Sequence, residues 1–377
     1  MRITVATGPL LPVPAIEGGS VPRMWEGLAR EFAAAGDTVT VLARAHPAQA
    51  PMETLDGVRY RRWGGYAQSG RIGWDLARNL AYSTGLLARL PEGDVLVSND
   101  FWLPALQPWA RSRAGALVVS ANRWPRGQYR LYTGATAIVA ASQAVGSAIA
   151  ARVPALAPRV HVLPNAVPLA TFRGAPSARG AQEPLRILYA GRLVREKGIE
   201  RMIDALRLLV AGGIPARGTV LGPYQAHQGG AGSGYRDELM ARAAGLPIDF
   251  IEPEFNPERL AARYCAHHVF CYPSAQDGGE AFGVAPVEAM SCGLVPVLSA
   301  LPCFRDYLRH EETGLFFDRA GDRAVADLAD QLRRLARDDG WRCRLALAAQ
   351  KEAVRFDMPA VARQFRALFQ QVMAGRR

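Results

Sequence analysis

Lysine is almost missing from this chain of 377 residues, since all but two of its 45 basic side chains are arginines. The two lysines are Lys197 and Lys351. A compositional drift toward arginine would replace any lysine that only had to be positive, so Lys197, in the stretch GRLVREKGIE, is a candidate for a specific role. The alternative is that this lysine survived by chance.

Cysteines and long apolar runs are also scarce. The 5 cysteines are odd in number, lie in the second half and show no C-x-x-C spacing, which argues against a disulfide framework or a zinc site. We expect them to be reduced core residues. No apolar run approaches the about 18–20 residues that span a membrane. The start, MRITVATGPLLPVPA, predicts a buried strand rather than a signal peptide, and therefore a cytoplasmic protein.

The formal net charge of +11 favours anionic partners. Because the arginines are scattered and no basic run is interleaved with aromatics, nucleic acid is not an expected partner. Trp63, Trp74, Trp102 and Trp124 permit peripheral contact with an anionic membrane at its inner face. Tryptophans dispersed singly in this way are, however, more typical of a protein core.

Two α/β series follow one another along the chain. In the first, the strand RITVATG, a helix over SVPRMWEGLAREFAAAG and the strand DTVTVLAR form a βαβ unit, with Trp25, Leu28 and Phe32 on one buried face. A stretch rich in Pro, Gly and Ala over 166–184 predicts a linker. The second series begins with the strand LRILYAG and the helix GIERMIDALRLLVAGG. The fold class is therefore α/β, with two Rossmann-like parallel-sheet domains facing each other across a cleft.

The loops that follow predicted strands carry the first candidate residues. Gly18 and Gly19 precede a helix N-terminus, whose N–H groups and dipole favour a phosphate, although plain turn chemistry is the alternative. Arg192 and Lys197 lie five residues apart after a predicted strand. Two cations converging there would offset the charge of a pyrophosphate, and the alternative is two solvated surface charges.

The stretch EAFGVAPVEAMSCG is more specific, because it places Glu280 and Glu288 around a small loop that contains glycine. Two such carboxylates can accept hydrogen bonds from the hydroxyl pairs of a sugar ring and a ribose. Pro286 is predicted to open a short helix that Gly293 closes. A first-turn helix glutamate is the alternative for Glu288, and a solvated loop carboxylate for Glu280.

Two nucleotide-binding signatures are not matched. The glycine-rich stretch GGAGSG does not fit G-x-G-x-x-G and predicts a surface loop, which disfavours a dinucleotide oxidoreductase. No Walker G-x-x-x-x-G-K-[ST] occurs either.

Four stretches together resemble the retaining glycosyltransferases of family 4, which have the two-domain GT-B fold. They are VLPNAV, LYAGRLVREKGIERMIDAL, CYPSAQDGGEAFGVAPVEAMSCGLVPVLS and EETGLFF, and they cover most of the second half in the family's order. The first half is similar only through its strand, glycine loop and helix. The resemblance implies an N-terminal acceptor-binding domain over 1–165, a donor domain over 185–355 and a C-terminal helix over 356–377 that crosses back to the N-terminal domain.

The resemblance also implies roles for the candidate residues. Arg192 and Lys197 resemble the pair that binds the donor diphosphate, Glu288 the carboxylate on the ribose hydroxyls and Glu280 the carboxylate on the transferred sugar. Gly18 or Gly19 would meet the diphosphate from the N-terminal side. Backbone contacts around the sugar and phosphate would come from Ala281, Phe282, Gly283 and Val284.

The chain departs from the family in two places. Many members have a histidine after the strand that corresponds to ALVVSAN, whereas this loop reads NRWPRGQ. After VPVLS, many members have a glycine pair followed by P-E, and this chain has ALPCFRDYL. Contacts that the family makes through these positions are therefore in question.

The resemblance implies an enzyme of the hexosyltransferase class that moves a hexose-type sugar from a nucleoside diphosphate donor, UDP in preference to GDP, to a hydroxyl acceptor. The acceptor would be a sugar, a lipid-linked sugar or a small molecule. The nucleotide sugar is a substrate, and we expect no cofactor and no metal, because no Asp-x-Asp occurs in a candidate donor loop. The rivals are a GT-B epimerase or hydrolase of nucleotide sugars and a non-catalytic protein that only binds them.

Overall fold

The computed structural model describes residues 1–106, 114–180, 183–275 and 280–375. It divides into two compact units. The first contains Met1–Ala166 together with Phe356–Arg377, and the second contains Val167–Arg355. Each unit is built around one β-sheet. Val167 and Phe172, which fall in the stretch predicted as a linker, are fully buried within the second unit.

The strands are numbered here along the chain. In the first unit they are β1 (Arg2–Thr7), β2 (Thr38–Ala43), β3 (Met52–Leu55), β4 (Val58–Arg62), β5 (Val95–Asn99), β6 (Ala116–Ala121), β7 (Ala137–Ala140) and β8 (Val160–Val162). In the second they are β9 (Leu185–Ala190), β10 (Ala216–Leu221), β11 (Ile248–Ile251), β12 (Val269–Tyr272), β13 (Val295–Ser299) and β14 (Leu315–Phe317).

The α-helices of the described residues are numbered in the same way. They are α1 (Ser20–Ala34), α2 (Ile72–Ala88), α3 (Gln143–Arg152), α4 (Ile199–Ala211), α5 (Ser233–Arg242), α6 (Pro257–Cys265), α7 (Val284–Ser291), α8 (Ala324–Arg337), α9 (Asp339–Ala353) and α10 (Met358–Ala374).

Both sheets are predominantly parallel. Their strand orders are β3-β4-β2-β1-β5-β6-β7-β8 and β11-β10-β9-β12-β13-β14. The β3–β4 pair is antiparallel, and the other paired strands run parallel. In the first sheet Val5 of β1 aligns with Val41 of β2 and Val97 of β5, so buried apolar side chains line up across the central strands. The predicted α/β class with two parallel-sheet domains is confirmed.

The core of the first unit includes the last helix of the chain. Trp25 and Phe32 on the predicted face of α1 are fully buried, and they pack edge-on against Phe365 and Phe369 of α10 at centroid distances of 5.6 Å each. Aromatic pairs in this geometry add to the free energy gained by burying their area. An ion pair also joins α10 to the residues after α1. The Asp37 carboxylate pairs with the Arg366 guanidinium at 2.7 Å and with the chain's N-terminal ammonium at 2.8 Å.

Two tryptophans do not follow the core expectation. Trp74 on α2 is 60% exposed, and Trp63 is 38% exposed with the Arg89 guanidinium 3.5 Å from its ring centroid. The core prediction is therefore wrong for both, because an exposed helix face and a cation–π contact accommodate them at the surface. Trp102 is half-buried, and its indole N–H donates to the Leu76 carbonyl at 2.9 Å.

The cysteines are all free. Cys271, Cys292 and Cys303 are buried as predicted, whereas Cys265 and Cys343 are only half-buried, so the core expectation is wrong for these two. Among the helices of the described ranges, none is both long enough and apolar enough to cross a membrane.

Candidate functional site

Lys197 is held on a short turn between β9 and α4. The turn is a 3-10 helix over Arg195–Lys197, and Gly198 ends it in the left-handed region at φ 62°. A Cβ on Gly198 would lie 2.3 Å from the Pro273 carbonyl oxygen, so only glycine fits there. The Ala275 N–H donates to the Glu196 carbonyl at 2.8 Å. The loops after β9 and β12 are thereby fixed to each other.

The structure brings Lys197 and Glu280 into direct contact. The Lys197 ammonium forms an ion pair with Oε1 of Glu280, and the two residues are only 5% and 8% exposed. The Tyr272 hydroxyl donates to the same Oε1 at 2.9 Å, and Nζ of Lys197 lies 5.2 Å from the centroid of the Tyr272 ring. The alternative of two solvated side chains is therefore excluded for both Lys197 and Glu280. Burying a charge is costly unless it is paired and hydrogen-bonded, as it is here.

Glu288 lies in the middle of α7 and is 3% exposed. The helix begins at Val284, two residues before the predicted start at Pro286, so Glu288 is not a first-turn glutamate. Pro286 is tolerated in the first turn because its missing N–H would have no partner within the helix. The Tyr264 hydroxyl donates to Oε2 of Glu288 at 3.1 Å. A favourable interaction with the helix dipole in the first turn therefore does not explain the position of the Glu288 carboxylate.

A stack of aromatic rings supports three of the predicted site residues. Neighbouring centroids are 5.7–5.8 Å apart along the buried series Tyr189, Tyr272, Phe270, Tyr264. Its tyrosine hydroxyls donate to the Arg192 carbonyl at 2.8 Å, to Glu280 at 2.9 Å and to Glu288 at 3.1 Å. Burial raises the pKa of Tyr189, so its hydroxyl stays protonated as a donor. We call this series the aromatic ladder. The motifs did not predict it, although its four residues occur in the stretches LYAG and RYCAHHVFCYPS.

The loop between Glu280 and α7 is also held by residues that follow β13. Phe282 is 1% exposed, and the Tyr307 hydroxyl donates to its carbonyl at 3.1 Å. Burial raises the pKa of Tyr307, which keeps that hydroxyl a donor. Gly283 has φ 79°, and a Cβ there would lie 2.9 Å from the Phe304 ring. Ala281 and Val284, the other two predicted backbone contacts, are half-buried.

Arg192 is placed differently from Lys197. Its side chain is half-exposed, donates to the Gly229 carbonyl at 3.1 Å and pairs with Glu196 at 3.8 Å. The glycine-rich stretch predicted as a surface loop thus packs beside it. Within the described residues, no hydrogen bond joins the Arg192 side chain to that of Lys197. Their joint action on a diphosphate stays a prediction.

Gly18 and Gly19 belong to the first unit, and the other predicted site residues belong to the second. Both glycines have positive φ, at 74° and 95°, immediately before α1. A Cβ on Gly19 would lie 2.7 Å from a methyl group of Leu11. The turn therefore requires glycine whether or not a phosphate binds, and the phosphate contact stays a prediction.

Asn122 begins the loop after β6 in which the resemblance leads one to expect a histidine. Its Oδ1 accepts from the Asn99 amide at 2.8 Å, and its own Nδ2 donates to Asn165 Oδ1 at 2.6 Å. The three asparagines form a polar chain at the carboxyl ends of β5 and β6, where ligands of open parallel sheets bind. Asn99 at the end of β5, Asn122 directly after β6 and Asn165 in VLPNAV were the available sequence signal.

Metal ligands do not cluster in the part of the chain that the structure describes. No group of three or more His, Cys, Asp or Glu side chains there could hold an ion.

Comparison with known proteins agrees with the geometry. Residues 176–352 match the family described as glycosyl transferases group 1. A D-inositol 3-phosphate glycosyltransferase from Xylanimonas cellulosilytica is 28% identical over 94% of this chain and 92% of its own length. Sucrose-phosphate synthase from Thermosynechococcus elongatus has a TM-score of 0.80 at 21% identity, covering 100% of both chains. Anabaena HepE in complex with UDP-glucose has a TM-score of 0.74 at 18% identity, covering 98% of this chain and 100% of its own.

The strand orders, the matched residues and these similarities lead to one conclusion. The chain is a glycosyltransferase with the GT-B fold, and its residues 176–352 are similar to the group 1 family.

Proposed function

We propose that this enzyme transfers a hexose-type sugar from a nucleoside diphosphate donor to a hydroxyl acceptor, with retention at the anomeric carbon. The observation that carries the proposal is the cluster around α7: a buried lysine paired with a buried glutamate, and a second buried glutamate in the helix that follows. Buried charged groups are costly, and they concentrate at sites that bind or transform a ligand.

The roles follow from what each group can bind. Among the described residues, the hydrogen bonds to Glu280 converge on Oε1, so Oε2 is the oxygen offered to a hydroxyl of the transferred sugar. Lys197 beside it carries the charge that a phosphate oxygen requires. Glu288, one turn and more into α7, is the carboxylate for the two ribose hydroxyls. Arg192, half-exposed on the same loop as Lys197, is the second cation for the diphosphate.

The charge that develops on the departing diphosphate is offset by Lys197, Arg192 and the N-terminus of α7. The acceptor hydroxyl attacks from the face that the diphosphate leaves, and a phosphate oxygen takes its proton. No protein base is required in this scheme. We expect activity without a metal, because Lys197, Arg192 and the helix N-terminus meet the charge of the leaving group, and chelation by EDTA tests this.

UDP-sugars are the favoured donors and GDP-sugars the alternative. Anabaena HepE, which has the same fold, was solved with UDP-glucose, and this supports the uracil donor. The relative from Xylanimonas is named for D-inositol 3-phosphate, which supports a polyol phosphate as the acceptor, and the net charge of +11 suits an anionic substrate. The product would enter cell-surface glycan, glycolipid or glycosylated metabolite synthesis in the cytoplasm or at the inner membrane face.

The experiment is a transfer assay with UDP-glucose, UDP-N-acetylglucosamine and GDP-mannose, each with and without inositol 3-phosphate or phosphatidylinositol. We expect a glycosylated acceptor whose anomeric proton, observed by NMR, keeps the donor's configuration. Free nucleotide released equally without acceptor would favour an epimerase or hydrolase. Donor binding without turnover over a broad acceptor panel would favour a non-catalytic binding protein.

A further inference from the structure

A cavity lined by three arginines lies in the first unit. A cavity of about 450 Å³ opens between the segment after β6 and the end of α3. It is lined by Arg126, Gly127, Tyr129, Arg130, Ala151, Arg152 and Val153. None of these lining residues is acidic.

The three arginines of this cavity differ from other arginines of the same unit. Arg126, Arg130 and Arg152 are all exposed, and no ion pair joins any of them to a residue in the described ranges. Elsewhere in the same unit, arginines such as Arg30 and Arg62 pair with carboxylates at 2.6–3.0 Å. Three like charges around one cavity repel each other, and an anion placed among them removes that repulsion. Planar guanidinium groups match phosphate oxygens especially well, through paired N–H donors.

The segment that carries two of the arginines is held rigidly. Tyr129 is 5% exposed and packs edge-on against Tyr132 at 5.3 Å, and the Tyr132 hydroxyl donates to the Phe101 carbonyl at 2.7 Å. The N–H groups of residues 126 and 127 both donate to the side-chain oxygen of Gln128, at 2.9 and 3.0 Å. An anion would therefore meet a preformed loop, which lowers the ordering cost of binding.

One wall of the cavity lies away from the edge of the sheet where substrates are expected. Helix α3 follows β7 and runs back along the sheet, so Ala151–Val153 lie toward the amino ends of the strands. Ligands of open parallel sheets bind beyond the carboxyl ends, where Gly19 and Asn122 lie in this unit. The end of α3 thus places the Arg152 side of the cavity away from that edge, whereas Arg126 belongs to the loop that follows β6.

We propose that the Arg126–Arg130–Arg152 cavity binds the phosphate group of an anionic ligand. Two sources present this chemistry: a soluble phosphorylated compound and the headgroup of an anionic phospholipid. Leu131, next to Arg130, is 48% exposed, so an apolar side chain stands beside the cations as a lipid surface would require.

The test measures the rate of chemical modification at each of the three arginines in the wild-type protein. Phenylglyoxal modifies accessible guanidinium groups, and peptide mass spectrometry reports the rate at each position. We expect inorganic phosphate to protect Arg126, Arg130 and Arg152 along one saturable curve. Arg59 and Arg363, which are exposed in the same unit, should keep their rates. Because Arg192 is scored on its own peptide, failure of the proposed donor site would be seen separately.

A second arm distinguishes the two sources. Vesicles of phosphatidylglycerol, with phosphatidylcholine vesicles as the neutral comparison, replace the free phosphate and are also used for co-sedimentation. The test variant is R126Q/R130Q/R152Q, and the charge-matched control is R59Q/R71Q/R363Q. If the source is lipid, anionic vesicles protect the cavity and neutral vesicles do not. The test variant then loses at least about tenfold in vesicle binding, while the control variant keeps it. Protection by free phosphate alone assigns a soluble ligand.

The proposal is overturned if neither free phosphate nor anionic vesicles protect the three arginines more than Arg59 and Arg363. Equal loss of vesicle binding in the test and control variants would show that only net charge matters, and would overturn the lipid source.

Discussion

The buried pair of Lys197 and Glu280 makes a prediction that no surface ion pair would make. Lys197→Met keeps a straight apolar stem but removes the ammonium. Glu280, which is 8% exposed, then retains only the Tyr272 hydroxyl as the partner described for its carboxylate. The variant should lose stability, because an uncompensated charge is left inside the second unit.

The size of the effect follows from the burial of both partners. Removing one member of a buried pair costs about 3–5 kcal/mol, whereas replacing both members is often nearly neutral. A domain of this size loses about 2–4 °C in melting temperature per kcal/mol, so the expected fall is about 6–20 °C. The remaining Tyr272 donor places the result toward the lower end. The double variant Lys197→Met/Glu280→Gln should recover most of the loss.

Scanning calorimetry of wild type, Lys197→Met, Glu280→Gln and the double variant measures the effect. The transition of the second unit is the one to compare, since a chain of two units need not unfold in a single step. Lys351→Met, at the exposed second lysine on α9, is the matched control and should not shift. A Lys197→Met melting temperature within about 2 °C of wild type, or losses that simply add in the double variant, would refute the buried-pair argument.

Three further predictions concern catalysis and pH. Glu280→Ala should lower kcat more than it raises the donor KM, since a contact to the transferred sugar strengthens as the sugar becomes cation-like; unchanged kcat in steady-state assays would contradict this. Lys197→Arg should lose at least about tenfold in kcat/KM, or about 1.4 kcal/mol, because a wide guanidinium does not fit the space of a paired ammonium. Lys351→Arg should be silent, and a fully active Lys197→Arg would mean that lysine is not required there. Burial lowers the pKa of His268 from 6.5 to about 3, so the unfolded chain binds a proton that the folded chain does not, and stability should fall as pH drops from 6.5 toward 3. His268→Asn should flatten that fall in a pH series of melting temperatures, and an unchanged slope would count against it.

The sequence predicted the alternation of strands and helices because each element carries its own periodicity. The β3–β4 hairpin was missed, since both strands are short and β3 is largely exposed. Its turn residues, Asp56 and Gly57, both have positive φ, and the Asp-Gly dipeptide was the signal that predicts such a hairpin. Exposure of Trp74 was missed for a different reason, because the pattern of a helix does not show which face remains uncovered.

In the candidate site, the motifs located the carboxylates and cations but not their partners. Lys197 and Glu280 are 83 positions apart, and only the parallel neighbours β9 and β12 bring their loops together. The tyrosines that hold Glu280 and Glu288 come from β12 and α6, outside the motif residues assigned roles by the resemblance. Contacts of this kind depend on tertiary packing, which local periodicity and spacing do not encode.

The central claim is that α7 presents Glu288 to the ribose of a nucleotide sugar, and donor affinity tests it most directly. Isothermal titration with UDP-glucose and GDP-mannose would compare wild type, Glu288→Ala and the isosteric Glu288→Gln. Glu258→Ala is the control, because Glu258 is an exposed first-turn glutamate on α6. Losing a hydrogen-bonded carboxylate should cost about 1.5–3 kcal/mol, so the donor Kd should rise at least about tenfold in both Glu288 variants and not in the control. Donor binding by wild type with the same Kd in both Glu288 variants would contradict the account.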